Sequence, residues 1–210
     1  MSAETGTRHG GLRGPIGVLP GVLPVALLAG ILAGMLNSGA AHAAPVPDAE
    51  RVPLDLRRTT LVVADMERSL AFYRDALGMA VTYDNWVLTP RDAAGPEDAD
   101  VARRLVFLRA NDDYVGVLGL LQYVKPVKPV VDLEGTAFHT GTAVLIFNLE
   151  RLDEAFEKAR AVDGVTVVSE PELLTYPSYD GSDTISVRVS TVQDPDGFTI
   201  ELNQLQESLH

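Results

Sequence analysis

The chain has 210 residues, 46% of them hydrophobic and 22% charged, enough for one globular domain or two small modules that share a core. A net charge of −12 makes nucleic acid and anionic lipid poor partners, and the absence of cysteine excludes both a disulfide framework and lipoprotein attachment. Aromatic residues make up only 6%, so the core is expected to be built mainly from Val, Leu, Ile and Ala.

At the N-terminus, Arg8 and Arg13 precede the apolar run Val22 to Leu36, and small residues then lead to Ala41-His42-Ala43. A basic start, an apolar middle and an Ala-x-Ala end form the pattern of a secretory signal peptide over residues 1–43, removed after Ala43. The mature chain would then be exported, periplasmic or secreted, with no membrane partner. A retained anchor is the alternative, because the apolar stretch from Pro15 is about as long as a short spanning helix; Pro20 and Pro24 speak against it. Cleavage takes away two arginines and one glutamate, which moves the net charge from −12 to −13. Residues 44–56, with Pro45, Pro47 and Pro53 among charges, form a tether.

From Arg58 a strand, helix, strand pattern appears twice. The first strand, β-branched and apolar at Thr59 to Val63, leads to Asp65 as an N-cap and a helix from Met66 to Leu77, stopped at Gly78. Leu70, Phe72, Tyr73 and Leu77 give that helix one bulky face. A strand from Met79 to Tyr83, a long acidic loop from Asn85 to Ala102, and strands at Arg104 to Arg109 and Val115 to Gln122 complete one module, with a turn at Ala110 to Asp113. Residues 124–141 connect it to the second copy. There a strand from Thr142 to Asn148 leads to a helix from Glu150 to Val162, stopped at Asp163-Gly164. Strands at Val165 to Val168, Thr184 to Thr191 and Gly197 to Leu202 follow.

Two segments carry a resemblance. Ser69-Leu70-Ala71-Phe72-Tyr73-Arg74-Asp75-Ala76-Leu77-Gly78-Met79 resembles the first-helix signature of the vicinal oxygen chelate family, which includes glyoxalase I, bleomycin-resistance proteins and extradiol dioxygenases. Asp194-Pro195-Asp196-Gly197-Phe198-Thr199-Ile200-Glu201-Leu202 is similar to the family's last hairpin. The resemblance implies an α+β, glyoxalase-like fold in which two βαβββ modules form paired half-barrel sheets. The resemblance covers about residues 58 to 203, within a domain over residues 57–205 made of modules 57–123 and 142–205 joined by 124–141. It also implies a site at the inward faces of the first and fourth strands, where metal-using members place His, Gln or Glu at four positions.

The matching positions here are Arg58, about Gly119, about Thr142, and Glu201. Only Glu201 could ligate a divalent ion, and a fixed arginine cation beside it would repel one. After signal removal only His139 and His210 remain, too few for a facial triad of two histidines and a carboxylate. No cofactor is therefore expected, a divalent metal is disfavoured, and the family's metal-dependent activities are not expected of this chain.

Glu201 reads as an ion-pair partner of Arg58, as a substrate contact or base, or as a lone metal ligand. Arg58 either offers its planar fork to an anionic ligand or faces solvent as a strand-start residue. Thr60, Thr142 and Arg188 add polar contacts if they point inward. Trp86, Tyr123 and Tyr176 stand near module edges, where they either meet a flat ligand or anchor loops. Asp194 to Gly197 is a tight turn rather than a calcium loop. The expected function is small-molecule binding in the cleft between the modules. The alternative is a lyase or isomerase acting on a small carbonyl or carboxylate compound, and homodimerisation stays open.

Overall fold

The computed structural model describes residues 48–177 and 184–206, so the apolar N-terminal segment 1–43, Tyr179 and His210 lie outside the described part. After a short 3-10 turn at Asp48–Glu50, the first module comprises β1 (Arg58–Val63), α1 (Met66–Leu70) continued by a π-helical turn (Ala71–Ala76), β2 (Ala80–Thr89), β3 (Val101–Arg109) and β4 (Val117–Lys125). The second comprises β5 (Val144–Asn148), α2 (Leu152–Arg160), β6 (Thr166–Pro177), β7 (Thr184–Gln193) and β8 (Thr199–Gln206). Each module forms a four-stranded sheet, ordered β1-β4-β3-β2 and β5-β8-β7-β6. The first strand of each runs parallel to the last, and the remaining pairs are antiparallel.

Sheet pairing lengthens several strands beyond their sequence signal. β2 keeps register with β3 as far as Thr89 opposite Val101, which shortens the expected acidic loop to residues 90–100. β6 likewise pairs with β7 as far as Pro177, so Tyr176 stands on a strand rather than in a loop. Ladder hydrogen bonds along a continuous partner outweigh the Pro and Asp content that marked both stretches as irregular.

The expected caps are present: the Asp65 side chain accepts from the Arg68 amide at 3.0 Å, and Gly78 and Gly164 take positive φ where the two helical segments end. A second device, shared by both modules, ties each helix start to the last strand of its own sheet. Gln122 on β4 accepts from the Met66 amide and donates to the Ala64 carbonyl, and Gln204 on β8 accepts from the Leu152 amide. These orphan amides of the first helical turn would otherwise lack partners.

One apolar core serves both modules. Leu61, Val63, Leu70, Phe72, Tyr73 and Leu120 join Leu152, Phe156, Ile200 and Leu202 in a single cluster on the helix side of the sheets. The Asp194 to Gly197 turn, closed by the Gly197 amide on the Asp194 carbonyl at 2.9 Å, also fastens the modules together. Asp196 accepts from the Ala64 amide and the Ser69 hydroxyl, while Asp194 accepts from the buried Tyr73 hydroxyl at 2.7 Å. Gly197, at φ +88, packs so closely on the connection that a Cβ would stand 2.7 Å from Leu133 Cβ. Burial outweighs the hydrogen bonds on Asp194 and pushes its carboxyl up to about 6. The Tyr73 phenol is pushed well up by burial first and by Asp194 second.

Candidate ligand-binding cleft

In β1, Leu61 and Val63 are buried on the helix side, so the two-residue period sends Arg58, Thr60 and Val62 to the opposite, open face of the sheet. Gly119 on β4 pairs with both Thr60 and Phe107. A Cβ at Gly119 would meet Thr60 Oγ1 at 2.6 Å and Arg58 Cδ at 3.3 Å, so a residue without a side chain is what lets those two lie across the sheet. Arg58 Nε donates to Thr60 Oγ1 at 3.1 Å, and its guanidinium lies 4.1 Å over the ring of Phe107, which in turn stacks on Tyr83 at 4.8 Å.

The same face continues toward the far end of β4. Tyr123 pairs with Arg103, whose guanidinium lies 5.9 Å from the Tyr123 ring, and the Lys128 ammonium lies 5.2 Å from that ring. Beside it, a cavity of about 350 Å³ is lined by Val62, Tyr123, Val127, Lys128, Val130 and Phe198 among others. At the other end, Arg58 shares a cleft of about 260 Å³ with Val144 and Ile146, so the edge strands β1 and β5 of the two modules both border it.

The open face of the second module has a different chemistry. Glu201 is 3% exposed, pairs with Ile146 and Thr191, and accepts from Asn203 Nδ2 at 2.8 Å. Asn203 Oδ1 is buried with no donor. Tyr176 is half-buried, and its phenol is pushed up by burial and by the nearby carboxylates Glu201 and Glu172, which keeps it protonated as a donor.

The residues singled out in the sequence therefore divide. Arg58, Thr60 and Tyr123 share the open face of the first sheet, and Glu201 and Tyr176 stand on two strands of the second, separated by β7. Thr142 precedes β5, and its hydroxyl donates to the His139 carbonyl in a turn. The residue that corresponds to Arg58 in the register of the second module is Val144. Trp86 stands opposite Arg104, which binds Asp84 and Glu67 on the helix side, so it faces away from Arg58. Arg188 makes a two-pronged ion pair with Asp153 of α2 at 2.5 and 2.7 Å, also on the helix side. No ion pair joins Arg58 to Glu201 among the described residues: the first lies on an aromatic ring and the second on an amide.

Phe107, Tyr83, Arg103, Lys128 and Asn203 were missed by sequence reasoning. The two-residue alternation Arg103, Leu105, Phe107 on β3 is the signal that places two of them on the face of Gly119.

The donors at the four family positions do not fit a divalent ion. They are a guanidinium, a glycine, an apolar Val144 and one carboxylate already bonded to an amide. Among the described residues, no three His, Cys, Asp or Glu side chains form a group able to hold a metal. Nor is any described helix long and apolar enough to cross a membrane.

Fold and face together define a small-molecule-binding protein built from two βαβββ modules. The sequence model of the Glyoxalase/Bleomycin resistance protein/Dioxygenase superfamily matches residues 55–202, and the chain belongs to that superfamily. A glyoxalase family protein from Bacillus cereus has the same fold, with a TM-score of 0.57 and 14% identity, over 76% of this chain and 99% of that one. The trypanothione-dependent glyoxalase I of Leishmania major is 25% identical, over 72% of this chain and 86% of that one, with a TM-score of 0.46. No curated protein matches the sequence.

Proposed function

We propose that this protein is exported and binds a small organic anion on the open face of its first module, without a tightly held metal. The observation that carries this reading is Arg58. In a chain of net charge −12, its guanidinium has no carboxylate partner among the described residues and instead lies on Phe107, next to Thr60 and above the space Gly119 leaves. A planar, permanently charged fork on an aromatic floor suits a carboxylate or phosphate attached to a flat or apolar body. The signal-peptide pattern of residues 1–43 supports export, and the donor set described above supports metal independence.

A thermal-shift panel of small organic carboxylates and phosphates tests the reading. A ligand at a hundredfold excess over its dissociation constant stabilises by about 2.7 kcal/mol, and Arg58→Ala should abolish that shift. An unchanged shift in the variant would refute the assignment. Elemental analysis of dialysed protein should find well under one divalent ion per chain.

A lyase or isomerase is the second reading, favoured by the Glu201 carboxylate and the Tyr176 phenol on one sheet, close enough for the charge of the first to raise the pKa of the second. Such a pair could take a proton from a substrate carbon at the carboxylate and return one from the phenol. Exchange of solvent deuterium into a bound carbonyl compound, lost in Glu201→Gln, would distinguish catalysis from binding.

A further inference from the structure

Many cations elsewhere on the described surface are met by carboxylates, among them Arg68 by Asp196, Arg104 by Asp84 and Glu67, Arg109 by Asp113 and Arg188 by Asp153, though Arg57 lies on the Tyr114 ring and Lys125 on the Glu97 carbonyl. The open face of the first sheet gathers three that are not. Arg58 rests on Phe107, while Arg103 and Lys128 both lie within reach of the Tyr123 ring; none of the three has an ion pair among the described residues. Arg103 Nε is buried and has no acceptor at all. An acidic protein that leaves three cations unneutralised on one face, one of them with an orphaned buried donor, holds a site for anions there.

The spacing of the two stations is set by the sheet. Gly119, beneath Arg58, and Tyr123 are four residues apart on β4, as are Phe107 and Arg103 on β3, which at about 3.3 Å per residue is about 13 Å. Between them the floor is apolar: Val62, Leu105 and Leu121 occupy the intervening row. The second station opens into the 350 Å³ cavity beside Lys128. We infer that the ligand is an elongated organic dianion, with one acidic group at Arg58, a second at Arg103 and Lys128, and an apolar spacer of about 13 Å over Val62 and Leu121. This rests on the reading of Arg58 as an anion anchor and adds a second anchor to it.

Titration calorimetry of the purified protein with straight-chain α,ω-dicarboxylates of graded length, and with monocarboxylates of the same carbon counts, tests the inference. One length is expected to bind at least about tenfold tighter than its monocarboxylate. That advantage should vanish in Lys128→Ala combined with Arg103→Gln, where the dicarboxylate should bind no tighter than its monocarboxylate. If no dicarboxylate gains over its monocarboxylate while Arg58→Ala still abolishes monocarboxylate binding, the second station is refuted and the first survives. If the gain persists in the double variant, the second station lies elsewhere and the inference falls. Failure of both series to bind removes the two readings together.

Discussion

The two modules share a scaffold and differ at the face. Thr60 opposite Gly119 in the first corresponds to Ile146 opposite Glu201 in the second, and Arg58 corresponds to Val144. Away from that face the copies agree: Gln122 and Gln204 both cap a helix start from the last strand, and both helices feed one core. The first face presents cations over aromatic rings, whereas the second presents acceptors, with Glu201, Glu172 and the unsatisfied Asn203 Oδ1. Residues that hold a module together are constrained by the geometry of the repeat. Residues on the open face are not, and there the copies differ in charge, with cations over rings in the first and acceptors in the second.

The core shared by the two modules is where a substitution should cost most. Phe156→Ala on α2 should cost about 3–5 kcal/mol, since the ring is fully buried among side chains of both modules. Calorimetry should still record one transition. Two separated transitions would mean that each module keeps its own core.

The latch between the modules should respond to pH. The Asp194 carboxyl has its ordinary value of 3.8 in the unfolded chain and about 6 in the folded one, so between these values the folded state binds more protons. Stability is therefore greatest at low pH with respect to this group and falls as pH rises through about 6, by about 3 kcal/mol in all. The paired carboxylates Asp84 and Asp153 are held below 3.8 by Arg104 and Arg188, and their contributions are lost only at lower pH. A melting temperature that falls between pH 5 and pH 7.5 in the parent, and stays level in Asp194→Asn, is the expected outcome.

Smaller effects sharpen the likeness of the copies. Gln122→Ala and Gln204→Ala should each cost about 1 kcal/mol, the loss of one helix-start cap. A large difference between them in urea unfolding would show that the two caps are not equivalent.

Much of the scaffold was legible because it follows short-range rules. The Thr59 to Val63 strand, the Asp65 cap, the Gly78 stop and the Asp194 to Gly197 turn are each dictated by a few neighbouring residues. The resemblance to the vicinal oxygen chelate family supplied the pairing of two βαβββ modules as half-barrel sheets. The site was legible only in part. Arg58, Thr60 and Glu201 follow from alternation along their own strands, but the stacking of Arg58 on Phe107 depends on which β3 residue lies opposite Gly119, a register no local pattern fixes. Trp86 was misjudged for the same reason: a register shift between Val81 and Tyr83 decides which side of β2 it takes. Tyr73 looked like plain core because nothing near it in sequence announces the Asp194 carboxylate that meets its hydroxyl.

On the proposed reading, the first module's open face selects anions through Arg58. The most direct test is a thermal-shift comparison of organic carboxylates with organic amines of matched size, run on the parent protein and on Arg58→Ala. Carboxylates alone should raise the parent's melting temperature, and the variant, itself within about 0.5 kcal/mol of the parent in stability, should respond to neither. Stabilisation by amines, or carboxylate shifts that survive in Arg58→Ala, would contradict the account.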